Sequence, residues 1–288
     1  MSRPASFLSP VPLFFVFLWS TGFIVAKFGL PYAPPLTFLL LRFAGVLVLL
    51  LPAVLLMKAS WPDKPGHVAV AGILLQAGYL SGVWCAIKLG MPAGLSALIV
   101  GMQPILTAFA APLIGERVRP AQWLGLASGL AGVALVVYAK ITLVGLGWPA
   151  IALCVAALLA ITVGTLYQKH YCPSFDLRTG TVIQFSASVA AVLPFALWLE
   201  DFGAVQWTPS FLGALAWSVL ALSIGAIFLL FTLIRRGNAT QVTSLLYLTP
   251  PTTAIMAWLA FGEAFNWMGI AGMVLAVVGV IFVVKNPK

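Results

Sequence analysis

The chain is a succession of apolar runs of eighteen or more residues, parted by polar connections of about ten residues at most, and the pattern continues to the C-terminal end. A run of that length, wound as a helix rising 1.5 Å per residue, reaches across a ~30 Å hydrocarbon layer. Composition agrees: 7% of the 288 residues are charged, against about 25% in soluble domains. Mean hydropathy is +1.10. The sequence therefore predicts an all-α polytopic membrane protein with no room for a soluble domain.

Apolar runs between turn residues give ten candidate spans: 11–30, 36–57, 68–88, 93–114, 121–139, 147–168, 179–199, 210–234, 241–261 and 267–284. The breaks have recognisable turn chemistry, as in "PYAPP" (31–35), "SWPDKPG" (60–66) and "RRGNAT" (235–240). With a cytoplasmic N-terminus, eleven of the fifteen Lys and Arg fall at inner ends and three (Lys27, Lys88, Lys140) at outer ends, while Arg42 lies inside a span. Basic residues collect on the cytoplasmic side, so both termini are placed there. The net charge of +9 is scattered one or two residues per loop, which excludes a nucleic-acid surface.

The chain repeats itself. At a spacing of 147 residues, Pro104 falls on Pro251, Gly115 on Gly262, Glu116 on Glu263, Gly125 on Gly272 and Gly132 on Gly279. Earlier in each half the spacing is 142, pairing Gly22 with Gly164, Phe43 with Phe185 and Pro52 with Pro194. The expected domains are 1–142 and 143–288, five spans each. An odd number of spans inserts the second copy upside down, so Glu116 sits at an inner helix end and Glu263 at an outer one. That explains why Arg117 and Arg119 flank the first acid while no base flanks the second. Inverted repeats of this kind typify secondary transporters, with solute held between the repeats near mid-membrane.

"SALIVGMQPILTAFAAPLIGERVRPAQWLGLASGLAGVALVV" (96–137), "LWSTGFIVAKFGL" (18–30) and "FLLLRFAGVL" (38–47) resemble the EamA family of the drug/metabolite transporter superfamily. The joint order of these short motifs carries the likeness, which covers essentially the whole chain. It implies ten helices, cytoplasmic termini and export or exchange of small metabolites in a bacterial inner membrane. The narrower likeness is to bacterial exporters of aromatic amino acids.

Polar groups inside hydrocarbon cost free energy and should face protein or water. Candidate solute-binding residues are Trp19 and Ser20 in span one, Gln76 and Tyr79 in span three, Gln103 in span four, Thr162 in span six, Trp217 in span eight, and Thr243 and Tyr247 in span nine. Each alone is also explained by helix packing or by an interfacial aromatic. Arg42 reads as a structural arginine, with a solute carboxylate as the alternative partner. Glu116 and Glu263 read as loop pins, and the mid-span Pro104, Pro250 and Pro251 as sites of freed carbonyls. Small residues four apart in spans five and ten predict close packing within each repeat, with a dimer seam as the alternative; a monomer is expected.

No Walker-type loop occurs and no Asp or Glu lies near mid-span, so neither ATP hydrolysis nor a buried proton carrier is expected. No cofactor, metal or catalytic residue is expected either. Cys85, Cys154 and Cys172 lack metal spacing, and intramembrane proteolysis lacks its residues. The expected partners are the lipid bilayer and a small neutral or zwitterionic solute, best a hydrophobic or aromatic amino acid, moved by alternating access in facilitated diffusion. Proton-coupled export of other metabolites or drugs is the alternative; a non-transporting scaffold or an intramembrane enzyme comes third.

Overall fold

A computed structural model describes residues 10–91, 96, 99–138, 147–236, 239–261 and 267–285. Among these residues there is no strand, and ten helical runs account for the chain. They are α1 (Pro10–Gly29), α2 (Pro35–Leu56), α3 (Pro65–Lys88), α4 (Gln103–Ala110 with a 3-10 turn Ala111–Ile114), α5 (Pro120–Tyr138), α6 (Trp148–Tyr171), α7 (Leu177–Leu199), α8 (Pro209–Trp217, Ser218–Ala226 and Ile227–Arg236), α9 (239–261) and α10 (Trp267–Lys285). Five of them, α2, α3, α6, α7 and α8, are long and apolar enough to cross a membrane. Leu56, Leu113 and Leu259 stand on the exterior, more than two thirds exposed, where lipid rather than water suits them. Trp61, Trp148, Trp198 and Trp267 are exposed at or just beyond helix ends, as in an interfacial belt.

Local chemistry sets the helix limits. Pro35, Pro65, Pro149 and Pro209 occupy first-turn positions, where the missing N–H costs nothing. Thr208 caps α8 by accepting from Phe211 N at 3.2 Å, and Asp176 caps α7 by accepting from Arg178 N at 2.9 Å. The Arg178 guanidinium also donates to Asp176, at 2.6 Å, and holds that carboxyl below its ordinary value. The cap of α2 comes from far away: the Glu200 carboxylate, beyond the end of α7, accepts from Leu36 N (2.9 Å), Thr37 N (2.7 Å) and Thr37 Oγ1 (2.8 Å). An anion is well placed at a helix N-terminus, where donors are orphaned. Gly115, with φ 76°, ends the 3-10 turn after α4, and Glu116 N closes back on Ala111 O at 3.0 Å. Glu116 is therefore part of a helix-ending turn; Glu263 lies outside the described residues.

The expected mid-helix prolines sit differently. Pro104 is the second residue of α4, after a turn at Gly101–Met102. Pro250 and Pro251 follow a 3-10 turn at Leu245–Leu248 and open the helix Thr249–Phe261. These prolines start new helical segments instead of kinking continuous ones, because a first turn needs no N–H from them. Pro52 and Pro194 do lie inside α2 and α7.

The helix contacts keep their pattern when each helix of the first five is exchanged for its counterpart five helices on. α1 packs on α8 and α9 while α6 packs on α3 and α4; α2 packs on α8 while α7 packs on α3; α2 with α7 and α5 with α10 pack directly. Single residues repeat the relation. A Cβ on Gly125 would lie 2.7 Å from Gly279 O, and one on Gly132 would lie 2.6 Å from Gly272 O. Gly22 faces Leu222 while Gly164 faces Leu75, and Phe43 meets its own counterpart Phe185 edge to face at 5.4 Å. Contacts that interchange in this way are the mark of a two-fold relation. The small-residue faces of α5 and α10 thus meet each other, which corrects the expectation that each packs within its own half.

Candidate functional site

Two π-helical segments sit at matching places, Ile73–Gly78 within α3 and Ser218–Ala226 within α8. A π segment widens the helix by one residue and re-aims the side chains that follow, and such segments recur at functional sites. They present Gln76 and Ser223, one repeat spacing of 147 apart, toward the middle of the molecule. There a cavity of about 60 Å³ is lined from α1 (Trp19, Gly22, Ala26), α2 (Arg42), α3 (Leu75 and Gln76 through Trp84 to Ile87) and α8 (Leu222, Ile227). That space admits several waters. Along α3 the cavity extends from Leu75 to Ile87, one residue short of the helix end at Lys88.

Arg42 lies ~10 Å into α2 at helical rise and is 4% exposed. Its Nε donates to Ser223 Oγ at 2.7 Å. Among the described residues no carboxylate pairs with it. Gln76 is 1% exposed, and neither its amide nitrogen nor its amide oxygen has a protein partner among the described residues. An unpaired buried amide is costly, so a roomy polar cavity is the natural outlet for it. The Trp19 and Tyr79 rings stack with 6.4 Å between centroids and 9° between planes. Both rings also line a second cavity of about 30 Å³, closed by Val100, Gly101, Leu246, Thr249 and Pro250. The stacked pair therefore divides the larger cavity from the helix breaks of α4 and α9.

The other candidates lie around this centre. Ser20 is buried, donates to Val16 O at 2.7 Å and reaches Thr249 O at 3.5 Å. Gln103 is buried against α6, donating to Thr165 Oγ1 at 3.2 Å. Thr162 bonds back to Leu158 O within its own helix at 2.7 Å. Thr243 is buried and donates to Thr240 O at 3.3 Å. Tyr247 is fully buried, its ring over Gly129. Trp217 is exposed and donates from Nε1 to Thr21 Oγ1 at 2.9 Å. Of the solute-binding candidates, the structure brings Trp19, Gln76 and Tyr79 to the larger cavity; of the others only Pro250 lines the smaller one, and Arg42 joins the former. Trp84, which lines the same centre, was not among the sequence candidates.

The opposite end of the molecule is held by polar contacts, two of them between halves: His67 Nδ1 meets Tyr167 Oη at 2.6 Å and Thr179 Oγ1 donates to Ser60 O at 2.7 Å. Within the second half, Lys169 Nζ donates to Ile234 O at 2.6 Å. Arg235 donates to Phe175 O and lies over the Phe175 ring.

Apolar helices packed around a small, mainly apolar cavity that also holds Arg42 and Gln76 are the architecture of a membrane transporter. The chain belongs to the EamA-like transporter family, whose model matches residues 11–138 and again 148–285. It is a multi-pass bacterial membrane protein. A Bacillus subtilis relative, "Uncharacterized transporter YvbV", is 28% identical over 96% of this chain and 90% of its own length. "Uncharacterized inner membrane transporter YedA" of Escherichia coli is 28% identical over 91% of this chain and 86% of its own. A Salmonella typhimurium protein named "Probable amino-acid metabolite efflux pump" is 28% identical over 97% and 94%. A solved crystal structure shares the fold with a TM-score of 0.83, 22% identity, and coverage of 98% of this chain and 96% of that one.

Proposed function

We propose that the protein exports or exchanges small amino acids, hydrophobic or aromatic ones by preference, through alternating access of the cavity between its halves. The halves, 1–142 and 143–288, are read as five-span repeats inserted in opposite senses, with both termini in the cytoplasm. The observation that carries the proposal is the cavity itself: first-half helices α1, α2 and α3 and second-half helix α8 line it, and it extends along α3 toward one end only. With a cytoplasmic N-terminus, that end is external and the bolted end is internal, an outward-open arrangement. The amino-acid efflux name of the Salmonella relative points the same way. The acidic residues lie in loops or at helix ends, which favours facilitated diffusion over proton coupling. The inward-turned faces of α5 and α10 favour a monomer.

Purified protein in liposomes should show saturable entry of labelled phenylalanine or leucine, trans-stimulated by unlabelled solute and indifferent to an imposed pH gradient. Entry no faster than into empty vesicles, across a panel of amino acids and their derivatives, would remove the carrier reading. Entry that follows the pH gradient would replace diffusion by proton coupling. Gln76→Ala and Tyr79→Ala should lower transport without loss of folded protein.

A further inference from the structure

We propose that Arg42 and Gln76 form a carboxylate-binding end of the cavity, and that its ligands are small monocarboxylates with an apolar or aromatic body, for which an amino group is optional. This rests on the carrier reading only for the claim that the ligand is also carried. A guanidinium has five N–H donors. Ser223 Oγ engages the one on Nε at 2.7 Å, which fixes the plane of the group and leaves the four on the two Nη nitrogens to the cavity that Arg42 lines. That pair of parallel donors matches a carboxylate. Arg42 and Gln76 are 4% and 1% exposed, and the Gln76 amide has no protein partner among the described residues. Its Nε2 supplies another donor to the same wall. Ser223, which holds Arg42, and Gln76, which adds its amide to the same wall, are carried on the two π segments.

The remaining lining includes Trp19, Tyr79, Val83, Trp84 and Leu222, which accepts a flat or branched apolar body. No Asp or Glu lines the cavity. An ammonium group entering with the carboxylate would find no anion there, only the Gln76 carbonyl and the aromatic faces. The site is therefore a charge complement to a monoanion: an arylalkanoate, an N-acyl amino acid or a 2-oxo acid fits its charge better than the zwitterion does. A bisphosphate or dicarboxylate would leave charge unmatched.

Equilibrium binding to the purified full-length protein in nanodiscs tests this with four probes of one shape: phenylalanine, N-acetylphenylalanine, 3-phenylpropionate and phenylalaninamide. The three acids should bind, the two without an ammonium at least as tightly as phenylalanine, and the amide about tenfold or more weaker, because a site built for a group rejects the analogue lacking it. Arg42→Gln should weaken all three acids by about tenfold or more and leave the amide unchanged; Gln76→Leu should do the same in smaller measure if the first variant does not fold. An amide that binds like the acids, acids indifferent to both substitutions, or no binding of any probe would each overturn the proposal. Binding of the acids without saturable flux in liposomes would remove the carrier and leave the site. Saturable phenylalanine flux inhibited equally by acid and amide would remove the site and leave the carrier.

Discussion

The crossing of α5 and α10 gives the sharpest test of the fold. Put a methyl group on Gly132. The new Cβ would sit 2.4 Å from Ala276 N, 2.6 Å from Gly272 O and 2.8 Å from Ala276 Cα. Those neighbours are backbone and cannot rotate away. To restore ordinary contact near 3.4 Å the two helices must part by about 1 Å at the crossing. A gap of that size forfeits a quarter to a half of each contact's ~0.1–0.2 kcal/mol. Over the ~30–40 atom pairs of a close crossing the loss is about 1–4 kcal/mol, in keeping with ~1–3 kcal/mol for overpacked cores. The helix itself gains ~1 kcal/mol from Gly→Ala, so a net loss of up to about 3 kcal/mol is expected. Gly213, within α8, has nothing within 4 Å of its Cβ position. Gly213→Ala should therefore be neutral or stabilising by ~0.5–1 kcal/mol. Cys154 and Cys172 are buried, so a thiol-reactive dye reports unfolding in detergent without an added label. The order of half-unfolding temperatures should be Gly132→Ala, wild type, Gly213→Ala from lowest to highest. A Gly132→Ala protein that melts with the wild type would refute the close α5–α10 contact.

Glu200→Ala should destabilise by ~2 kcal/mol in the same dye assay, since three donors at the start of α2 lose a charged acceptor, with Glu200→Gln costing less. Trp19→Ala should join the two cavities that the Trp19–Tyr79 stack divides, so that solutes bulkier than phenylalanine gain in liposome flux relative to it. For Asp176, the Arg178 contact lowers the folded carboxyl below its unfolded value; the stabilisation is present above ~pH 4 and lost as pH falls through the lower folded value. A small drop in melting temperature should thus appear only in that acid window, and Asp176→Ala should lack it. On the carrier reading, Gln168→Cys and Gln184→Cys should resist an aqueous thiol reagent in the outward state and become reactive during turnover; labelling that ignores added solute would count against alternation.

Much of the fold was legible because lipid leaves a strong trace in sequence. Apolar runs announce an all-helical membrane chain, and the recurrence of Gly125 and Gly132 at Gly272 and Gly279 anticipates which faces are small. What those faces touch was not legible, since a stripe of small residues looks alike whether it packs inside a repeat, across repeats or across a dimer. The prolines misled for a related reason. Pro104 and Pro250 look mid-span by position, but a proline inside a span and one starting a second segment have the same hydropathy. Gln76 and Tyr79 were found because three residues separate neighbours on a helix face. Arg42 was read first as structural, with a solute carboxylate as the alternative: the sequence cannot show that Ser223, 181 residues away, takes one donor and leaves the others to a cavity. The reach of Glu200 to α2 left no trace, because a helix-end carboxylate is unremarkable until its partner is known.

The interchange of contacts between halves bears directly on how such a protein could alternate. At the 142 and 147 spacings, Arg42, Trp84 and Ile87 correspond to Gln184, Phe231 and Ile234, and Gln76 to Ser223. The first set lines an open cavity, whereas Phe231 and Ile234 are buried and Gln184 Nε2 donates to Gln168 Oε1 at 2.8 Å. Related residues thus occupy unlike environments, so the two-fold relation is broken in this conformation. Exchanging the conformations of the halves yields a second state in which the buried set faces water. That exchange is feasible only if the two states differ by a few kcal/mol. The bolted end meets the requirement: its polar links between the halves, His67 to Tyr167 and Thr179 to Ser60 O, contribute about 0.5–1.5 kcal/mol each. Closing the other end would bury the half-buried Ile87 more deeply, an offsetting gain. A bolt built from an apolar interface as large as that of α5 with α10 would hold one state permanently. On the carrier reading, the close helix crossing would hold the halves together and the few polar links between them would let them move.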